Sequence, residues 1–175
     1  MEIQNKSEEI FNGKVIRVSK DEVIIDDGTI AYREVVKHNG GVCIALKDGD
    51  YYYMVRQYRY PMGEMMLEFP AGKIEKDEDP DLAIIREAQE ETGFTVKNIM
   101  KFGYVVPTCG YSNEKIYLYY GEADKNIGQH LDKDERINVE KYTLNEIEQM
   151  IMNNEIQDAK TIALVLHIKL KGLDA

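Results

Sequence analysis

The stretch "AGKIEKDEDPDLAIIREAQEETGF", residues 71 to 94, constrains this chain more than any other. Asp79 followed by Pro80 supplies a capping oxygen and a first-turn proline, and Gly93 supplies a stop. The spacing therefore predicts one helix from Pro80 to Thr92. At about 100° per residue, Leu82, Ile84, Ile85 and Ala88 are expected on a core side, with Arg86, Glu87, Glu90 and Glu91 on the other. Three carboxylates within one turn repel one another. Arg86 can hold Glu90 at the i,i+4 spacing, but one guanidinium does not neutralise three acids. Oxygen ligands without histidine or thiolate suit magnesium or manganese better than zinc. Spacing alone also fits a solvated acidic helix face.

The segments around this helix narrow the fold. Before it, "KVIRVS", "EVIIDDGTIAYREVV" and "GVCIALKDGDYYYMVRQYRY" alternate apolar and polar residues, with Asp27-Gly28 and Asp48-Gly49 as hairpin turns. After it come strand candidates in "TVKNIMKFGYVV" and "KIYLYYGEA", a polar loop, and a further strand near "INVEKYT". Thr143 with Glu146 forms a capping box, and Asp158 caps a last helix that Gly172 can close. Strands first, a helix in the middle and helices last imply an α/β protein with a mixed sheet. With 175 residues the chain has room for one main core. Residues 1–40 are expected to form an N-terminal β extension and residues 41–175 the principal domain.

Charge and composition exclude several classes. A formal net charge of -10 disfavours nucleic acid as a docked partner. Neither a membrane-spanning apolar run nor a signal peptide is expected, which points to the cytoplasm. Cys43 and Cys109 form no CxxC pair, and His38, His130 and His167 are scattered, so zinc and disulfide frameworks have no support.

The helix and its flanks resemble the signature of Nudix hydrolases, G-x5-E-x7-R-E-U-x-E-E-x-G-U, where U is bulky and apolar. Gly72, Glu78, Arg86, Glu87, Glu90, Glu91, Gly93 and Phe94 occupy the required positions, with the small Ala88 at the first U. The resemblance implies the Nudix fold, an α/β/α sandwich with a mixed sheet, and metal-dependent attack of water on a diphosphate linked to another moiety. It implies Glu87, Glu90, Glu91 and the carbonyl of Ala71 as ligands of Mg2+ (or Mn2+), Arg86 as the residue that orients a glutamate, and Glu78 as a helper from the preceding loop.

Further stretches, "REVVKHNGG", "VRQYRYPMGEMMLEFPAGKIE" and "DAKTIALVL", resemble the ADP-ribose pyrophosphatase subfamily. That resemblance implies a nucleoside diphosphate sugar as substrate, AMP and ribose 5-phosphate as products, and a homodimer whose N-terminal strands contribute to the partner's site. Arg59 matches an arginine that contacts the diphosphate; Arg33 and Gly110 are further candidates for substrate contact, and Tyr32 and Tyr58 for stacking on the base. Cys109 departs from a subfamily proline, which leaves GDP-mannose or another nucleoside diphosphate derivative as an alternative substrate. A non-catalytic nucleotide-sensing module is the alternative from a different class, although the box is intact. The stretch "LDKDERINV" resembles an acidic loop that supplies a base, which makes Glu135 the first candidate, Asp134 the reserve and Glu90 the fallback.

Overall fold

The computed structural model describes residues 1–133 and 135–174. The chain divides into two compact units, one of Met1–Gly40 with Val106–Lys115 and one of Gly41–Val105 with Ile116–Ala175. Among the described residues, no helix is long and apolar enough to cross a membrane.

The first unit is a three-stranded antiparallel sheet of β1 (Glu2–Asn12), β2 (Ile16–Ile25) and β3 (Ile30–His38), in that order. Apolar alternation does not mark β1, because every residue in it is exposed. Its pairing with β2, from Glu2 opposite Ile25 to Asn12 opposite Arg17, supplies the structure that side-chain burial does not. The Asp27-Gly28 turn joins β2 to β3 as expected, with Gly28 in the left-handed region. Residues 106–115 fasten to β3 through the Val36 N–H to Tyr111 O and the Asn113 N–H to Val36 O.

The second unit is built on β4 (Gly41–Asp48), β5 (Tyr51–Arg59), β6 (Glu64–Glu68), β7 (Ala71–Lys73), β8 (Phe94–Val105), β9 (Ile116–Asn126) and β10 (Ile137–Thr143), with α1 (Pro80–Thr92), α2 (Leu144–Met152) and α3 (Ala159–Leu170). Its sheet runs β10-β5-β4-β9-β8, with β6 beside β5 and β7 beside β4. The pairing of β4 with β9 is parallel and the others are antiparallel, so the sheet is mixed.

Strand β4 explains the layering. Its residues from Gly41 to Leu46 are all buried, so it reads as a continuous apolar run with a helix layer on each face. Val42, Ile44 and Leu46 pack with Ala83, Ile84 and Ala88 of α1, whereas Cys43 and Ala45 pack with Leu164, Val165 and Ile168 of α3 and Ile147 of α2. This is the α/β/α sandwich expected from the sequence. The capping box of α2 is present, with Thr143 and Glu146 bonding reciprocally, and Asp158 caps α3.

A polar clamp fastens α3 to the sheet. Glu68, 2% exposed at the end of β6, accepts from Arg59 Nε and Nη2 at 2.6 and 2.8 Å, and also from Lys160 Nζ. Next to it, the Phe69 N–H donates to Thr161 Oγ1 at 2.9 Å. Burial opposes ionisation of Glu68, but Arg59 and Lys160 outweigh it and hold the carboxyl down at about 2. The folded value lies below the unfolded one, so the stabilisation is complete above about pH 4.5 and is lost as pH falls towards 2. In urea titrations, Glu68→Gln should cost a few kcal/mol, on the order of 3, at pH 7, and this difference should shrink steadily between pH 4.5 and 2. A difference that does not change with pH would remove the charge from the explanation.

Candidate active site

Helix α1 starts and stops where the sequence predicts. Asp79 accepts from the Asp81 N–H at 2.7 Å, Pro80 occupies the first turn, and Gly93, at φ 80°, donates its N–H to Gln89 O. The face assignment needs correction. Leu82 is 64% exposed and Ile85 39%, while Glu91 is 3% exposed among the residues facing the sheet. The helical period gives the reason: Ala88 and Glu91 follow Ile84 at i+4 and i+7 and share its stripe, whereas Leu82 falls about 160° away, beside Arg86. Glu91 is therefore a core position filled by an acid.

Glu87 and Glu90 of the helix meet Glu78 of the preceding loop at Arg86. Its Nε and Nη2 each donate to Glu78 at 2.9 Å, and its Nη1 donates to Glu87 at 2.8 Å and to Glu90 at 2.9 Å. A further bond from Nη2 reaches the Lys73 carbonyl at 3.2 Å. The expected Arg86–Glu90 pair is thus one part of a three-carboxylate hub, and Glu78 takes the bidentate contact. The Glu78 contact, followed by those to Glu87 and Glu90, holds the guanidinium firmly protonated.

Glu91 has a different environment. The Ala71 N–H donates to its Oε2 at 2.8 Å. Burial pushes its carboxyl up to about 8, with Glu87 and Glu135 adding to the shift and Ala71 and Arg59 opposing it. Burial also raises Glu87, helped by Glu90 and Glu135 and resisted by Arg86. Gly72 lines this recess: a Cβ there would fall 1.9 Å from Glu87 Cδ.

The acidic loop is latched onto the end of the helix. Ile127 N donates to Gly93 O at 2.8 Å, His130 N donates to Glu90 O at 3.0 Å, and the Gln129 side chain donates to Glu91 O. These donors satisfy carbonyls that a helix C-terminus leaves open. Sequence reading misses the latch because its bonds fall on backbone groups. The loop brings the charge of Glu135 close enough to act on both Glu87 and Glu91. Asp134 lies outside the described residues. Arg59, held by Glu68, is close enough to Glu91 for each to perturb the other.

Arg33, Tyr32 and Gly110 belong to the first unit. There Arg33 forks Glu2 on β1, at 3.0 Å from Nε and 2.5 Å from Nη2, and the exposed Tyr32 donates to Glu22 at 3.2 Å beneath Lys20. Gly110 sits in the turn that the Ser112 N–H closes onto Thr108 O. Tyr58, on β5 next to Arg59, is 53% exposed.

Comparison with known proteins places this geometry. Residues 37–165 match the NUDIX domain family. The chain belongs to the Nudix family. Over 167 residues it is 35% identical to an ADP-ribose pyrophosphatase of Bacillus subtilis, covering 94% of this chain and 90% of the relative. It is 36% identical over 169 residues to a methanol dehydrogenase activator of Bacillus methanolicus, covering 95% and 91%. A GDP-mannose pyrophosphatase of Yersinia enterocolitica is 29% identical over 188 residues, covering 99% and 98%. The crystal structure of an ADP compounds hydrolase superposes with a TM-score of 0.86 at 18% identity, covering 98% of this chain and 95% of that one, and so shares the Nudix fold.

Nudix hydrolases generally use divalent metal ions, and the residues present fit such an ion. Glu87, Glu90 and Glu91 offer oxygen only, the first and last are raised by burial and by neighbouring carboxylates, and Gly72 keeps the recess beside them clear. Among the described residues these acids do not converge into a ready-made cage, because Arg86 engages Glu87 and Glu90. The recess itself can be tested. Gly72 is not in the left-handed region, so alanine is tolerated by the backbone and acts through its Cβ on Glu87. Gly72→Ala should lower kcat/KM by about a hundredfold while leaving the urea midpoint nearly unchanged. Wild-type turnover in that variant would show that Glu87 is free to leave the recess.

Proposed function

We propose that this Nudix hydrolase cleaves the diphosphate of nucleoside diphosphate sugars with Mg2+ (or Mn2+), taking ADP-ribose and releasing AMP and ribose 5-phosphate. The observation that carries the reading is the buried Glu91 beside Glu87, with the guanidinium of Arg59 within electrostatic reach. A site of this kind offers hard anionic oxygens for a divalent ion and a fixed cationic fork for a diphosphate. The names of the relatives support the choice of substrate.

Each residue then has a role. Glu87, Glu90, Glu91 and the Ala71 carbonyl hold the ion, which offsets charge on the phosphoryl oxygens and makes water a better nucleophile. Arg86 keeps Glu87 and Glu90 in place. Arg59 grips the diphosphate. Glu135, on the latched loop, takes the proton of the attacking water. In the homodimer proposed below, Arg33, Tyr32 and Gly110 serve substrate binding in the partner's site. We place the protein in the cytoplasm, consistent with two free cysteines.

The test is a panel of nucleoside diphosphate sugars with magnesium, scored by the phosphate esters released, on wild type and Glu135→Gln. ADP-ribose should give the highest kcat/KM, and Glu135→Gln should lose about a hundredfold or more in kcat. Preference for GDP-mannose would transfer the reading to that sugar nucleotide. No turnover of any member would leave a nucleotide-sensing module. A loss below about fivefold in Glu135→Gln would return that residue to the surface.

The same reading makes the protein a homodimer joined through its N-terminal strands. Ile3, Ile10, Phe11 and Ile30 are more than half exposed on the three-stranded sheet, which is unusual apolar exposure for an isolated sheet. Light scattering at micromolar concentration should give twice 20.2 kDa. A fully active sample of monomer mass would exclude the dimer.

A further inference from the structure

We infer that Lys160 is a positioning residue for substrate binding, acting on Arg59 through Glu68. The inference rests on the reading above, in which Arg59 grips the diphosphate. Its starting point is that Lys160 sits where a lysine is unfavourable. Its side chain is 12% exposed, so the ammonium has left water. It also stands in the first turn of α3, beside the positive end of the helix dipole.

Lys160 is one of several contacts that dock α3, and the others stand without it. Asp158 caps the helix through the Thr161 N–H at 2.9 Å and hydroxyl at 2.6 Å, while Leu164, Val165 and Ile168 supply the apolar contact. What Lys160 does touch is specific: Asp158 Oδ1 at 2.9 Å on its own helix, and Glu68 Oε2 on the sheet. Burial pulls the ammonium down, but Asp158 and Glu68 outweigh it, and the group stays charged.

The shared carboxylate turns this contact into a constraint on Arg59. Glu68 Oε1 is taken by Arg59 Nε, and Oε2 is divided between Arg59 Nη2 and Lys160 Nζ. Lys160 thereby sets the plane of the carboxylate, and the carboxylate sets the plane of the guanidinium. The Thr161–Phe69 bond holds α3 against the residue following Glu68, so the ammonium and the carboxylate are fixed to one frame. Exposure rises along the chain of contacts, with Glu68 at 3% and Arg59 at 34% for their side chains. The donors not spent on Glu68 are the two on Nη1 and the second on Nη2, along one edge of the guanidinium. The clamp therefore presents a single edge of Arg59 towards the site at a fixed angle. Lys160 touches no substrate in this scheme.

A double-mutant cycle tests the inference, using Lys160→Met, which keeps length and removes the charge, with Arg59→Ala and the best substrate of the panel. Lys160→Met should raise KM about tenfold, with a much smaller change in kcat, the loss typical of one charge-assisted contact. In the Arg59→Ala background it should change KM less than twofold, because its target is gone. Lys160→Arg, which keeps the charge, should restore part of the KM. Additive losses in the cycle, or an unchanged KM in Lys160→Met, would overturn the inference. If Lys160→Met alone does not fold, Asp158→Asn is added to remove the stranded carboxylate and the same cycle is measured. An Arg59→Ala protein with wild-type KM would instead refute the reading that Arg59 grips the diphosphate, which separates the two failures.

Discussion

The second unit is organised around acidic side chains forced into a protein interior. Glu91 sits at a position the helical period assigns to the core, next to Glu87 and within the field of Glu135, and each of these makes its ionisation harder. The helix dipole adds to the difficulty, since Glu90 and Glu91 lie in the last turn of α1, where no basic residue answers the carbonyls. The surroundings partly offset the cost with fixed dipoles and two guanidinium groups. The Ala71 N–H meets Glu91, Arg86 gathers the other acids, and Arg59 acts from β5. Side chains of this kind cannot be placed on a mobile loop. They need a helix held firmly against a sheet, and the α1 face of β4 provides one.

The polar contacts fall into two groups with different logic. Arg86 is one cation distributed over three glutamates, so it orders acids that would otherwise spread apart. Glu68 is the reverse, one buried acid shared by two cations, so it orders the bases. The two hubs lie on different layers, the first on α1 and the second where α3 meets β6. The sheet between them connects the helix that carries the acids with the strand that carries Arg59.

Much of this is legible in the sequence because it depends on local rules. The Asp79-Pro80 start, the Gly93 stop, the two hairpin turns and the cap at Thr143 follow from backbone preferences of single residues, and each is present. The Nudix signature carries the acids themselves. Legibility fails where an interaction spans distant segments. Glu68 and Lys160 are 92 residues apart, and neither position alone shows that it will be buried. Glu91 illustrates another failure: grouping residues by charge placed it with its like-charged neighbours, although period alone aligns it with Ile84 and Ala88. Strand β1 is invisible for the opposite reason, since it buries no side chain and leaves no apolar pattern.

The latch between the acidic loop and α1 has a consequence for how such an enzyme can diversify. Ile127 and His130 fix one end of the loop by backbone bonds to the helix, and Ile137 fixes the other by entering β10 beside Gln57. The backbone bonds of both anchors make little demand on the side chains between them, apart from Gln129, whose amide donates to Glu91 O, and the room that Gly93 needs against Gly128. Exchanges in the span that spare Gln129 and Glu135 are therefore absorbed without displacing the glutamates of the helix. The chain is arranged like a fixed jaw with an exchangeable insert, in which the loop can vary while the glutamates of the helix stay where they are.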